Sequence, residues 1–149
     1  MTGLQAGPAS ISGGSKVDPT LSYLGVARNM LPGVRSLADN KSSALALSLI
    51  AGHTMECLLK AYLSKEGETK SLKDHKVRHN LVALWKMAFL DGLPISEQPP
   101  DWLELLGECH DSPYYTRYST SVNGIVLPNM NNMAEGIEEV ARIVEGCFP

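Results

Sequence analysis

Apolar residues recur at helical spacing in five segments of the chain. The first segment follows Asp18, which can cap a helix, and Pro19, which suits the first helical position. Pro32 and Gly33 interrupt its pattern, because a proline removes a backbone donor and clashes with the preceding turn. We therefore expect a kink or a break there, with residues 34–38 as a short continuation.

Residues 41–65 form the most apolar segment, and it contains no proline. Its apolar side chains cover most of the helical circumference, which predicts the central helix of a bundle. A stripe of residues four apart runs along this helix: Ser48, Gly52, Glu56 and Lys60. The first two are small enough to let another backbone approach, so the stripe predicts a packing seam that turns polar toward its end. Gly67 is expected to close the helix.

Three further helices are predicted in the second half of the chain. Asn80 can cap the third helix, whose apolar residues fall at i, i+3, i+4 and i+7. Asp101 and Glu104 have the spacing of a capping box at the start of a short fourth helix. The last helix opens around residues 129–132 and carries a full apolar stripe that ends before Gly146.

No segment alternates convincingly as a strand apart from residues 122–127, which are short and precede Pro128. The sequence therefore predicts an all-α fold, an up-and-down bundle of four to five helices. We interpret residues 1–17 as a flexible N-terminal tail and residues 18–149 as a single domain. The connection at residues 111–128 is long for such a fold, and a long loop often carries function.

Composition narrows the classes of function. Of 149 residues, 44% are hydrophobic and 19% are charged, which is enough to build a core. The net charge of -3 argues against a surface that binds phosphate backbones throughout. The three cysteines have no paired spacing, so neither a disulfide framework nor a cysteine zinc site is indicated. The first fifteen residues lack the charge and apolar run of a secretory signal, and we expect a cytoplasmic protein without a membrane span.

Charge is distributed unevenly along the chain. Residues 60–86 hold seven of the 13 basic residues against three acidic ones, whereas residues 91–111 hold six acidic residues and no Lys or Arg. Both stretches are compatible with ordinary solvated surfaces. The alternatives are a basic rim for a phosphate-bearing ligand, or a patch complementary to the acidic stretch of a second copy of the chain.

His75 and His79 are four residues apart, a spacing that places two imidazoles on one metal if the stretch is helical. A third ligand from His53, Glu56 or His110 would have to arrive by folding. A solvated or capping role explains the two histidines more simply, and the sequence assigns no metal and no cofactor. Glu56 is interpreted as a hydrogen-bonded or lysine-paired carboxylate at the edge of the core.

Nucleophilic catalysis has little support in the sequence. The chain has no nucleophile elbow, no phosphate-binding P-loop and no zinc-protease motif. Cys109 and His110 are adjacent, which on a helix points their side chains about 100° apart, so they do not form a ready thiolate–imidazole pair.

The loop segment Tyr114-Tyr115-Thr116-Arg117-Tyr118 places three phenols around one guanidinium. Such a group offers stacking faces beside a planar phosphate-binding fork. The alternative is that the tyrosines clamp the loop to the bundle while Arg117 pairs with a carboxylate. The candidate ligand-binding residues are Arg117, Tyr114, Tyr115, Tyr118, Lys73, Lys76 and Arg78.

The order of these motifs resembles the HEPN (higher eukaryotes and prokaryotes nucleotide-binding) domain family. The likeness covers about residues 40–146. It rests on an E-x-x-L-K-A-x-L helix beginning at Glu56, an H-N-L-x-x-L entry beginning at His79, and the aromatic-T-R-Y loop at residues 115–118. The resemblance implies a helical bundle, commonly dimeric, that occurs in RNA-cleaving toxins, in toxin-antitoxin pairs with minimal nucleotidyltransferases, and as noncatalytic binding modules.

The ribonucleases of that family carry an arginine followed after four to six residues by a histidine. None of the four histidines here has an arginine at that distance before it, and the polar residue in the window after Arg117 is Asn123. We therefore expect a noncatalytic nucleotide-, RNA- or protein-binding module that works as a homodimer. The resemblance also implies a place in a toxin-antitoxin or nucleotidyltransferase-associated system. The alternative is a divergent metal-independent ribonuclease toxin that uses Arg117, His110 and Tyr118.

Overall fold

The computed structural model describes residues 18–41, 43–67, 70–111, 114–116 and 126–149. Within these ranges the chain forms five α-helices, one short 3₁₀ helix and no strand. The helices are α1 (Pro19–Asn40), α2 (Ala44–Leu63), α3 (Leu81–Leu90), α4 (Asp101–His110) and α5 (Met130–Glu145), and the 3₁₀ helix is Lys70–Lys73. The all-α prediction is confirmed for these residues. The predicted tail and most of the possible strand at 122–127 lie outside them.

The helix α2 lies at the centre of the bundle, where it contacts each of the other four helices. Ser43 caps it, accepting a hydrogen bond from the Ala46 backbone N–H at 3.1 Å. By length and composition alone α2 could also cross a bilayer, but 67% of its most apolar window is buried inside the bundle. Packing by the other helices thus accounts for its apolar character, as the sequence predicted for a central helix.

A kink or a break was expected at Pro32, and the break is wrong, because α1 runs through Pro32 as one helix. Proline removes one intrahelical hydrogen bond, a loss that tertiary packing can override. Here α1 is held on both sides of the proline by buried side chains of a single stripe, since Leu24, Ala27, Val34 and Ala38 are each at most 1% exposed. The apolar face therefore continues across Pro32 and keeps the helix intact.

The predicted caps Asp18 and Asn80 are confirmed, and Asn129 caps α5 within the predicted range of its start. Asp18 accepts a hydrogen bond from the Thr20 backbone N–H at 2.9 Å, with Pro19 at the first helical position. Asn80 and Asn129 cap α3 and α5 in the same way. These caps satisfy backbone N–H groups that a helix start leaves without partners, and the side chains that do so are local in sequence.

Two predicted helix boundaries are wrong, the start of α4 and the end of α2. Pro100, not Asp101, is the N-cap of α4, and no side chain caps that helix. Glu104 instead accepts a hydrogen bond from Gln98 at 2.8 Å, so the capping box does not form. The central helix ends at Leu63 with Ser64 as its C-cap, and Gly67 lies in the following turn with φ of 113°. A glycine is required in that turn because this φ is strained for other residues.

Candidate functional site

The small-residue seam of α2 receives a side chain from α4. A Cβ added at Gly52 would lie 2.3 Å from Nδ1 of His110, far inside van der Waals contact. Ser48 and Gly52, like Glu56 and Lys60 further along the stripe, are buried. The sequence predicted a close approach at this seam, and the structure confirms it. The approaching group is an imidazole rather than the backbone of a neighbouring helix.

One turn after Gly52, the carboxylate of Glu56 accepts three hydrogen bonds. Oε1 accepts hydrogen bonds from Nδ1 of His79 at 2.9 Å and from Nε2 of His110 at 2.8 Å. Oε2 accepts a hydrogen bond from Nζ of Lys60 at 2.9 Å. We call these four residues the Glu56 cluster. It joins the middle of α2 to the residue before the cap of α3 and to the last residue of α4.

The Glu56 cluster contains a buried ion pair between Glu56 and Lys60. Glu56 is 7% exposed and Lys60 is 6% exposed. Burial raises the pKa of Glu56, but the hydrogen bonds from His110, His79 and Lys60 outweigh it and lower the pKa to about 2. A carboxylate ionised at neutral pH only accepts hydrogen bonds, so the two histidine nitrogens that face it carry hydrogens.

His110 is fully buried, and its second nitrogen is unusual. Nδ1 has no hydrogen-bond partner among the described residues and packs against Gly52. Since an N–H group left in this position would be costly, we place the hydrogen of the neutral ring on Nε2, toward Glu56. His110 thus fixes the carboxylate from inside the bundle and does not reach the solvent.

His79 is the member of the Glu56 cluster that reaches the surface, with a quarter of its side chain exposed. Within the described ranges its Nε2 makes no hydrogen bond, whereas Nδ1 is held by Glu56. The ring lies edge-on to Tyr114, with the centroids 5.8 Å apart, and edge-on to His110 at 6.1 Å. Glu56 therefore orients His79 and leaves its outer nitrogen available to a ligand.

The predicted tyrosine–arginine loop begins beside this histidine. Tyr114 has a positive φ of 64°, which is uncommon for a residue other than glycine, and its N–H donates to the Asp111 carbonyl at 2.8 Å. Tyr114 and Tyr115 are half-buried and Thr116 is buried. Arg117 and Tyr118 lie outside the described residues. The loop is thus placed up to Thr116, and the role of its arginine stays a prediction.

The basic residues of the segment before α3 are exposed: Lys70, Lys73, Lys76 and Arg78. Asp74 is the only acidic residue between Lys70 and His79. Because Arg78 directly precedes His79, the contact between His79 and Tyr114 brings the tyrosine loop to the end of this segment. One residue of each candidate set is therefore next to His79, Arg78 along the chain and Tyr114 by contact.

His75 and His79, the histidines four residues apart, do not form the metal-binding pair that their spacing allowed. His75 is 78% exposed and lies 4.0 Å from Asp74, and His53 is next to Cys57 on α2, 3.9 Å from its sulfur. Folding instead joins His79 with two of the three further donors named above, Glu56 and His110, and their ligand atoms all lie within 4.8 Å of one another. The sequence named all three residues, but their separations of 23 and 54 positions from Glu56 give no spacing signal.

The two buried cysteines are poor nucleophiles. Burial raises the pKa of Cys57 to about 11, and burial also raises the pKa of Cys109. The Cys109 thiol donates to the Val126 carbonyl at 3.5 Å, while the adjacent His110 turns to Glu56. A thiol must ionise to attack, so this environment disfavours cysteine chemistry.

No family model, curated protein or solved structure matches this chain. The resemblance to the HEPN family therefore rests on the motifs quoted above, and a function has to be argued from the Glu56 cluster and the surface around His79.

Proposed function

We propose that the chain is a HEPN-like module that binds a phosphate-bearing ligand, a nucleotide or RNA, without cleaving it. The binding surface in this proposal is the basic face, which consists of Lys70, Lys73, Lys76, Arg78, His79 and Tyr114, extended by Arg117. The observation that supports the proposal is the contact between Tyr114 and His79, because His79 directly follows Arg78, the last of four exposed basic residues in this segment.

The basic face combines the two interactions that single-stranded nucleic acids require. Exposed Lys and Arg side chains attract the phosphate backbone, and aromatic faces stack with bases whatever their sequence. Asp74 is the only opposing charge within the segment, so the local potential is positive although the whole chain has a net charge of -3. Dimerisation and a nucleotidyltransferase partner, both expected from the family resemblance, stay predictions.

The first test compares two double variants that remove the same charge from different surfaces. Lys73→Ala/Lys76→Ala acts on the basic face, and Lys86→Ala/Arg142→Ala is the matched control at exposed positions of α3 and α5. Binding of a fluorescent RNA oligonucleotide is measured by anisotropy over a series of salt concentrations. We expect the first variant to lose roughly tenfold in affinity and the log–log salt slope to fall by about 1–2, since two phosphate contacts are lost.

Arg117→Ala should weaken binding in the same assay, because the proposal places its guanidinium on the ligand. Equal losses in the two double variants would show that the RNA responds only to overall charge. No measurable binding of RNA or nucleotides by the unaltered chain would also refute the proposed function.

One observation favours a second function, the divergent ribonuclease. An imidazole held through Nδ1 by a buried carboxylate, on a side chain that is partly exposed, has the arrangement of a general base. His79 meets this description, whereas His110 is fully buried and does not reach an RNA strand. If the chain cleaves RNA, we therefore assign the base to His79, with Arg117 on the phosphate.

Incubation of a labelled RNA with the chain and its variants, in the presence of chelator, separates the two functions. The binding module predicts no cleavage above that of a buffer blank. Cleavage by the unaltered chain that is lost in both His79→Ala and Arg117→Ala would establish the ribonuclease instead. Cleavage that persists in both variants would indicate a contaminating nuclease, and it would contradict the assignment of His79 and Arg117.

A further inference from the structure

We propose that Glu56, His79 and His110 form a binding site for one divalent transition-metal ion, of which Zn²⁺ is the best match. This inference does not depend on the proposed function, because it rests on the donor atoms of Glu56, His79 and His110, of which only His79 also belongs to the basic face. Two imidazoles and one carboxylate are a ligand set that binds zinc in proteins and leaves a fourth position for water or a ligand.

The carboxylate distances require little rearrangement, whereas the two imidazoles have to come closer to each other. Zinc bonds of about 2.0–2.2 Å in a tetrahedron place the ligand atoms about 3.3 Å from one another. Oε1 of Glu56 is now 2.9 Å from Nδ1 of His79 and 2.8 Å from Nε2 of His110. The three ligand atoms all lie within 4.8 Å of one another. Entry of an ion moves the carboxylate oxygen outward by about half an ångström and draws the two imidazoles together.

Each imidazole can bind the metal through the nitrogen that now faces Glu56 if its hydrogen moves to the other ring nitrogen. In the hydrogen-bonded state, Nδ1 of His79 and Nε2 of His110 carry hydrogens toward Glu56, and each neutral ring must move its hydrogen to the other nitrogen to ligate. For His79 that nitrogen is Nε2 on the partly exposed side chain, which water can solvate. No net proton is gained or lost by either ring.

For His110 the hydrogen moves to Nδ1, which faces Gly52 on the seam of α2. Ser48 lies one helical turn before Gly52 on the same face, and its buried Oγ has no partner among the described residues. Neither of these two buried polar atoms is hydrogen-bonded to the other. Metal binding turns Nδ1 from an acceptor into a donor that has no acceptor among the described residues, and this cost lowers the affinity of the site.

Lys60 determines which carboxylate oxygen of Glu56 binds the metal ion. Its ammonium group lies 2.9 Å from Oε2, so the carboxylate ligates through Oε1 alone and keeps its ion pair. The nearby positive charge also makes the site weaker than one with an unpaired carboxylate. The ion enters from the side of His79, where the histidine is a quarter exposed and Tyr114 lies next to it.

The test uses the full chain, freed of metal by a chelator and then dialysed. Titration with Zn²⁺ by calorimetry is expected to show one equivalent bound per chain, and Co²⁺ is expected to give the intense visible absorption of a tetrahedral site. His79→Ala removes a ligand at a partly exposed position and should lower the affinity by more than about tenfold. His75→Ala is the matched control, an exposed histidine four residues away, and should stay within about twofold.

Cooperative thermal unfolding of both variants without metal shows that each is folded. Absence of binding to the unaltered chain overturns the proposal. An equal loss in His75→Ala also overturns it, because the ion would then lie on the exposed histidine pair. Binding that His79→Ala leaves unchanged, or an octahedral Co²⁺ spectrum in the unaltered chain, would place the ion elsewhere and contradicts the site as well.

Discussion

Replacing Glu56 by glutamine is expected to lower the free energy of unfolding by about 3–5 kcal/mol. The amide cannot neutralise Lys60, which is 6% exposed and would be left as an uncompensated buried charge. Its NH₂ group also cannot accept, so at least one of the hydrogen bonds from Lys60, His79 and His110 is lost. Small domains are stable by about 5–15 kcal/mol, so the variant loses a large part of its stability.

Denaturant unfolding followed by circular dichroism measures this loss. Glu139→Gln is the matched control, because Glu139 is 55% exposed and pairs with Arg142 on the surface of α5. That change should stay within about 0.5 kcal/mol. Similar unfolding midpoints for the two variants would show that the Glu56 cluster contributes no more than a surface ion pair.

Acid unfolding gives a second readout on the same variants in chelator. The pKa of Glu56 is lowered from 4.5 to about 2, so its contribution is complete above pH 4.5 and is lost as the pH falls toward 2. The unaltered chain should therefore lose stability more steeply over this range than Glu56→Gln does. Arg35 and Arg28 also lower the pKa values of Glu138 and Glu145. Both carboxylates are present in each variant, so their contributions to the pH dependence cancel in the comparison. Parallel acid curves would contradict the assignment to Glu56.

The second large effect is expected at Gly52. An added Cβ would lie 2.3 Å from Nδ1 and 2.8 Å from Cγ of His110, so the imidazole has to move. His110 is fully buried and bonded to Glu56, which leaves it no free space. We expect Gly52→Ala to destabilise the chain by about 2–3 kcal/mol, the upper part of the range of about 1–3 kcal/mol that is usual for overpacking, although alanine is the better helix former.

Gly25→Ala is the matched control for this change. Gly25 lies inside α1, and no heavy atom would come within 4 Å of its added Cβ. Alanine should there stabilise the helix by up to about 1 kcal/mol. Opposite signs for the two substitutions in denaturant unfolding would support the packing of His110 on the seam. If Gly52→Ala stabilised the chain as Gly25→Ala does, His110 would not occupy that space.

Much of the helical structure was predictable because its causes are local. Asp18, Asn80 and Asn129 satisfy backbone groups two or three residues away, so the sequence alone indicates where α1, α3 and α5 begin. The apolar circumference of residues 41–65 likewise identified the central helix, since a helix that is apolar all round has to be covered by others.

The local signals failed where distant contacts outweighed them. Pro32 should weaken α1, yet buried residues on both sides keep the helix continuous. Asp101 and Glu104 have capping-box spacing, yet Pro100 takes the cap position and Glu104 binds Gln98. In each case the competing interaction depends on how the chain folds back, which the spacing of residues does not record.

The chain by itself determined the seam of α2, the basic segment before α3 and the tyrosine loop, because each is a run of neighbouring residues. Only the tertiary structure decided that Glu56, His79 and His110 meet. They come from three separate elements, and the close approach depends on the missing side chain of Gly52. A carboxylate that holds three buried or half-buried donors requires the whole bundle to exclude water around it, and this is a property of packing rather than of sequence spacing.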